Sequence, residues 1–269
     1  MKKADLLEAL RKIGIKAGDR LLVHSSFKSL DYEGAPTEVC QCLMEAVTDK
    51  GLLMMVTHSY NFINRKELGP YNKDVSPVQI GIIPETFRQM DGVLRSLHPT
   101  HSVAAWGKDA LEFITGHEKL EAAGEGTPYY RFARADGKIL MIGCDLEACT
   151  MVHEAEWEAQ VPYLDIHFDP KWGRAALYYD DKAELIRIDY KNIPGCSHGF
   201  VKCQPGLTDS GCLNKISLNK ETSYLADAAC LLNYLVKRLC EDPYILLERE
   251  STDCYQCMEA IKRRNNLQK

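Results

Sequence analysis

"GKILMIGCDLEACTMVHEAEW", residues 137–157, is the stretch that decides the fold. Lys138 to Ile142 is a short apolar run with a glycine at each side, as expected of a strand buried on both faces. A loop follows Gly143, and a helix starts near 148–150. A buried strand feeding a helix is the repeating unit of layered α/β proteins. Open α/β sheets bind ligands outside the carboxyl ends of their strands, which places chemistry in this loop and helix start. His153 lies within the first turn or so of that helix, with Glu154, Glu156 and Glu158 close by. His153 and Glu156 are three residues apart and share a helix face, so the pair could be a base and the carboxylate that orients it. Taken alone, the pair is better read as part of a solvated polar helix.

The pattern extends in both directions. "RLLVHSS" (20–26) and "GLLMMVT" (51–57) read as two more buried strands. "MKKADLLEALRKIG" (1–14) has apolar residues at helical spacing and early acids, so it reads as an amphipathic helix and not a signal peptide. "PTEVCQCLMEAVTDKG" (36–51) opens on a proline and closes on a glycine, the punctuation of a helix. "IPETFRQM" (83–90) and "GKDALEFITGH" (107–117) are further helix starts. "RAALYYDDKAELIRIDY" (174–190) reads as a hairpin around Asp180 and Asp181, which would make the sheet mixed. "ETSYLADAACLLNYLVKRLCEDP" (221–243) reads as a long helix with a stripe of Tyr224, Leu225, Ala228, Leu231, Leu232 and Leu235. The expected architecture is a three-layer α/β/α fold with a mixed, mainly parallel central sheet. It forms one domain over residues 1–269, with a C-terminal helical elaboration. Two long loops, 58–81 and 116–137, are candidates for function.

Composition excludes several classes. A net charge of −5 with no basic block argues against a nucleic-acid partner. No apolar run reaches the roughly 18 residues of a membrane span. The expected setting is the cytoplasm, where eleven cysteines are reduced thiols and not a disulfide framework. Cys40, Cys42, Cys230 and Cys240 fall in helical patterns as small core hydrophobes. Cys196, Cys203, Cys212, Cys254 and Cys257 stand apart: "CYQC" has metal-ligand spacing, and "CSHGFVKC" adds a histidine between two thiols. Zinc needs four converging ligands, and this is not the spacing of a paired ribbon, so no metal is assigned.

Two other segments carry candidate chemistry. "LLVHSSFKSLD" (21–31) is a strand running into a hydroxyl-rich turn, where backbone N–H groups can cradle an anion, or where serines simply cap a helix. "SLHPTHSVAAWG" (96–107) places His98 and His101 beside a proline and a run of small residues. Packed, hydrogen-bonded histidines are the plain alternative there.

In this order along the chain, "VHSS", "RSLHPTHSVAAWG" and "GKILMIG…TMVHEAE" resemble the aminoglycoside 3-N-acetyltransferase family, also called the antibiotic N-acetyltransferases. The likeness continues through "QIGIIPETFRQMDGVLRSLHP" and "GTPYYRFARADGKILMIG", then more weakly to "HGFVKCQPGL" and "EDPYILL", covering roughly residues 5–250. The resemblance implies a fold distinct from the GNAT acetyltransferases, acetyl-CoA as co-substrate and a cationic small-molecule amine as acceptor. It maps the catalytic segment onto Thr150, His153 and Glu156. It places His24, Ser25, Ser26, Phe27 and Ser29 of one turn, and His98, Ser102 and Val103 of the other, along the coenzyme. Many members carry a second histidine where this chain has Glu154. Asp31, Glu33, Glu121, Glu125, Asp145 and Glu147 are candidates to meet a polycation. Three other functions remain open. They are the same transfer to a metabolite amine, a hydrolase using Cys144 or Cys149 with His153, and a zinc-stabilised binding module built on Cys254 and Cys257.

Overall fold

A computed structural model describes residues 1–60, 69–167, 171, 173–192, 194–218, 222–248 and 254–267. The helices are α1 (Lys3–Lys12), α2 (Phe27–Leu30), α3 (Pro36–Val47), α4 (Ile82–Phe87), α5 (Ala110–Ile114), α6 (Pro128–Ala133), α7 (Met151–Glu158), α8 (Gln204–Asp209), α9 (Ala228–Glu241) and α10 (Tyr255–Leu267). The strands are β1 (Arg20–Ser25), β2 (Leu52–Val56), β3 (Leu94–Arg95), β4 (Val103–Gly107), β5 (Lys138–Ile142), β6 (Ala175–Tyr179), β7 (Leu185–Asp189), β8 (Leu213–Ile216) and β9 (Ser223–Asp227).

Among the described residues, seven strands form one sheet in the order β3-β4-β2-β1-β5-β9-β8. It is mixed, but not mainly parallel. Within it, β1 runs parallel to β2 and to β5; the four outer pairings are antiparallel. The three central strands are the three read from the sequence as buried apolar runs. Their side chains alternate between faces, as the pleat requires. Leu22, Leu52, Met54, Ile139 and Met141 enter a core covered by residues of α5, α6, α7, α9 and α10. Leu21, Leu53, Met55, Leu140 and Ile142 enter a second core beneath α1, α3 and α4. Burial on both faces explains the absence of a polar alternation. The layered α/β/α arrangement expected from the sequence is present.

Three elements differ from the sequence reading. The hairpin forms at its expected place, with the Asp180 carboxylate accepting from the N–H groups of Lys182 and Glu184. It makes a separate two-stranded sheet, so the mixed character of the main sheet arises elsewhere. The long helix over 221–243 is two elements. Tyr224 and Leu225 lie in β9, and the helix begins at Ala228, where Asp227 accepts from Cys230 N at 2.7 Å. An aspartate able to cap the helix ends the strand and starts the helix in one residue. Asp227→Ala should therefore cost about 1 kcal/mol in a urea melt. Finally, "VAAWG", to which the sequence reading gave no element, is strand β4, paired between β2 and β3.

Cys212 and Cys230 are joined as a disulfide, contrary to the expectation that all thiols are reduced. Cys40 and Cys42 are core residues as read, but Cys240 is exposed. No helix among the described residues is long and apolar enough to cross a membrane.

Candidate active site

The carboxyl ends of β1, β2 and β5 point to the same edge of the sheet, and a cavity of about 510 Å³ opens there. Its wall takes His24 and Ser25 from β1, Val56 from β2, and Thr150 and His153 from the start of α7. His58, Tyr60, Gln79 and Ile80 add the two described ends of the long loop; residues 61–68 of that loop lie outside the described residues.

His153 is held from one side. Its Nδ1 lies 2.6 Å from Glu156 Oε2, and Tyr163 donates its hydroxyl to Glu156 Oε1 at 2.9 Å. With Nδ1–H given to the carboxylate, Nε2 carries the lone pair toward the cavity. Phe200 closes against the ring edge-on, with centroids 5.0 Å apart. The His153 and Glu156 side chains are only 10% and 8% exposed, so water competes little for the hydrogen bond between them. A base, a carboxylate and a hydroxyl donor thus line up behind one face of the cavity.

The neighbouring imidazoles are neutral. Burial pushes His24 down to about 4. His58 is held well below its ordinary value by burial first, then by His101, His24 and His153. His101 is lowered by burial and then by His98 and His153. The rings of His58 and His101 meet edge-on at 4.7 Å, and His58 Nε2 approaches the Tyr129 hydroxyl at 3.4 Å. Neutral rings can accept or donate hydrogen bonds without repelling a cation. His58 and Tyr60 carried no motif of their own; the length of the 58–81 loop and the strand end before it were the signals that pointed to them.

The other candidate residues divide by position. Ser26 and Ser29 share a hydroxyl hydrogen bond of 2.9 Å and shape the turn behind Ser25. Ser26 N–H also donates to Ile142 O at 2.8 Å, tying the ends of β1 and β5 together. Gly143 turns with φ +61°, and a Cβ there would lie 2.4 Å from Ser29 Cβ, so glycine is required beneath this turn. Phe27 opens α2 and packs against the second core. His98 is fully buried behind the wall, where its Nδ1 accepts from His101 N at 3.0 Å and its ring stacks on Tyr190 at 4.6 Å. Ser102 is buried against Thr57 and Arg95, and Val103 is a core residue of β4. None of Ser26, Phe27, Ser29, His98, Ser102 and Val103 is on the cavity wall.

Glu154 faces away from the cavity. It is buried, and one carboxylate oxygen accepts from Gly124 N at 2.8 Å and Thr127 Oγ1 at 3.2 Å. Of the six acids considered for a polycation, Glu147 alone lies on the wall, where it pairs with His198 Nδ1 at 2.6 Å. Glu121 instead accepts from the backbone N–H groups of Lys191 and Asn192. Burial pushes the Cys144 and Cys149 thiols up to about 12, so neither is a thiolate near neutral pH. That speaks against a cysteine nucleophile in this cavity.

The model of the family described as aminoglycoside 3-N-acetyltransferase matches residues 22–240. Aminoglycoside N(3)-acetyltransferase IV of Salmonella sp is 28% identical over 248 residues, covering 91% of this chain and 90% of the relative. The SPbeta prophage-derived aminoglycoside N(3')-acetyltransferase-like protein YokD of Bacillus subtilis is 30% identical over 184 residues, or 61% of this chain and 67% of the relative. The apoenzyme structure of aminoglycoside acetyltransferase AAC(3)-IVa superposes with a TM-score of 0.82 at 27% identity, over 97% of this chain and 96% of that one. The same enzyme has been solved as a histidine-to-alanine variant in complex with a gentamicin, and this chain matches it with a TM-score of 0.83 at 27% identity, covering 97% of this chain and 96% of that one. The family match over most of the sequence shows what the chain is: it belongs to the aminoglycoside 3-N-acetyltransferase family and is an acyltransferase whose co-substrate is acetyl-CoA.

Proposed function

We propose that this enzyme acetylates the 3-amino group of an aminoglycoside by direct transfer, with His153 as general base. The observation that carries the reading is the His153–Glu156–Tyr163 chain, with His153 on the cavity wall and the other two behind it. His153 Nε2 accepts the proton of the attacking amine, and Glu156 stabilises the imidazolium that forms. The amine nitrogen bonds to the thioester carbonyl carbon, and the oxyanion is met by the Thr150 hydroxyl or by N–H groups opening α7. Collapse breaks the C–S bond, and the departing CoA thiolate takes the proton from the imidazolium. The products are an amide and free CoA. His24 and Ser25 are the coenzyme-facing residues of this scheme; Ser26 and Ser29 shape the turn that follows them, His98 supports His101, and Phe27, Ser102 and Val103 are packed away from the cavity wall.

Two features support an aminoglycoside as acceptor. A related enzyme has been solved in complex with a gentamicin and with apramycin. Glu147 supplies a carboxylate at a wall where burial keeps His24, His58 and His101 neutral, which suits a polyamine. The test is release of free CoA from acetyl-CoA with a panel of aminoglycosides and simple amines, followed by locating the acetyl group in the product. Release with an aminoglycoside and acetylation at the 3-amino group is the expected result. Release only with other amines would keep the chemistry and discard this acceptor.

Tyr163→Phe separates positioning from proton transfer. Loss of one hydrogen bond to a buried carboxylate costs about 1–3 kcal/mol of stability. The expected kinetic result is a lower kcat at unchanged KM, because Glu156 still reaches His153.

A further inference from the structure

A second cluster of reactive side chains lies outside the catalytic chain. The sulfur atoms of Cys196, Cys254 and Cys257 all fall within 4.8 Å of one another. Cys257 Sγ is 3.3 Å from Cys196 Sγ, and Cys257 N–H donates to Cys254 Sγ at 3.4 Å. Cys254 stands immediately before α10 and Cys257 in its first turn, so the C-x-x-C pair sits where backbone N–H groups favour thiolates. Cys196 comes from a distant segment, held in place by its own N–H donating to Gln256 Oε1 at 3.2 Å. Cys203 and Cys212, weighed alongside them, do not join this group; Cys212 is bonded to Cys230.

We infer that Cys196, Cys254 and Cys257 bind a zinc-class soft divalent cation that staples the 194–197 segment to α10. Four sulfurs around zinc at about 2.3 Å would lie about 3.8 Å apart, close to the spacing already present. The C-x-x-C pair plus one remote thiol supplies three of the four tetrahedral positions, leaving the fourth to water or a further donor. Binding displaces the thiol protons to solvent and needs no oxidant. The alternative fate of such close thiols, a Cys196–Cys257 disulfide, would need an oxidant to take two electrons. Pro194, Gly195 and Ser197, which flank Cys196, line the active cavity. The cation would therefore fix one wall of that cavity from behind, without touching the reacting atoms.

The test is metal analysis of the full chain, purified under reducing conditions without added zinc and then offered one equivalent of zinc. Wild type is expected to hold about one zinc per chain, and the Cys196→Ser and Cys257→Ser variants about a tenth of that or less. Cys240→Ser, an exposed position outside the cluster, should keep its zinc. A chelator should unmask the three cluster thiols to an alkylating reagent in wild type, mapped by peptide mass. This readout stands even if a serine variant fails to fold. Wild type without zinc after reconstitution, full zinc in Cys196→Ser, or a cross-linked Cys196–Cys257 peptide would each overturn the inference. Metal content does not depend on the acetyl-transfer reading, so the two can fail separately.

Discussion

His153→Ala is expected to lower kcat/KM for acetyl transfer by about 10²–10⁴-fold, the usual contribution of a positioned general base. That corresponds to about 3–5 kcal/mol of transition-state stabilisation. Substrate affinity should change little, because the ring forms only part of the wall of a cavity of about 510 Å³. Free-CoA release would give the rate, and calorimetric titration with acetyl-CoA would give the affinity. Glu156→Gln should cost less, since Tyr163 and the backbone still hold position 156 while the imidazolium loses its counter-charge. The double variant should be no worse than His153→Ala, because the two side chains act as one unit. Near-normal turnover in His153→Ala would remove this residue from the base's role and turn attention to His58 or His101 on the same wall.

Replacing Glu154 with glutamine should change how stability depends on pH. Burial raises the Glu154 carboxyl from 4.5 to about 7, opposed by the hydrogen bonds from Gly124 and Thr127. The folded state therefore holds a proton that the unfolded chain releases between the two values. Its stabilising effect is full below the unfolded pKa and is lost as pH rises through the folded pKa. Between pH 5.5 and 8 the loss is about 2 kcal/mol from this group alone. Glutamine can accept the same hydrogen bonds without ionising. The Glu154→Gln curve should then pull above wild type by that amount on going from pH 5.5 to 8 in urea melts. Parallel curves would mean that Glu154 ionises freely in the folded protein.

These two expectations concern neighbouring positions with opposite fates, and they show how much of the site was legible in the chain. Glu154 and Glu156 are both carboxylates one to three residues from His153, and helical spacing alone joins Glu156 to the histidine. That Glu154 turns into the protein depended on the 124–127 turn packing over α7, thirty residues earlier in the chain. The turn after β1 was legible for a similar local reason: an apolar strand ending in His24 and Ser25 must place them at the sheet's edge, where they line the cavity. The depth of the second turn was not legible. His98 and Ser102 lie in the turn before β4 and Val103 opens that strand, and all three are buried behind the wall.

Local periodicity determined the three central strands, the helix carrying His153 and Glu156, and the hairpin around Asp180. Each depends on contacts within a few residues or on which faces are apolar. Packing decided what meets across long separations. It brought His58 beside His101, Tyr163 onto Glu156, Cys212 to Cys230, and Cys196 to the Cys254–Cys257 pair. It also set the antiparallel outer half of the sheet, since direction follows from how the connections return and not from the composition of a strand. Side-chain period fixes a face along one element, but only the docking of elements selects the partner that the face receives.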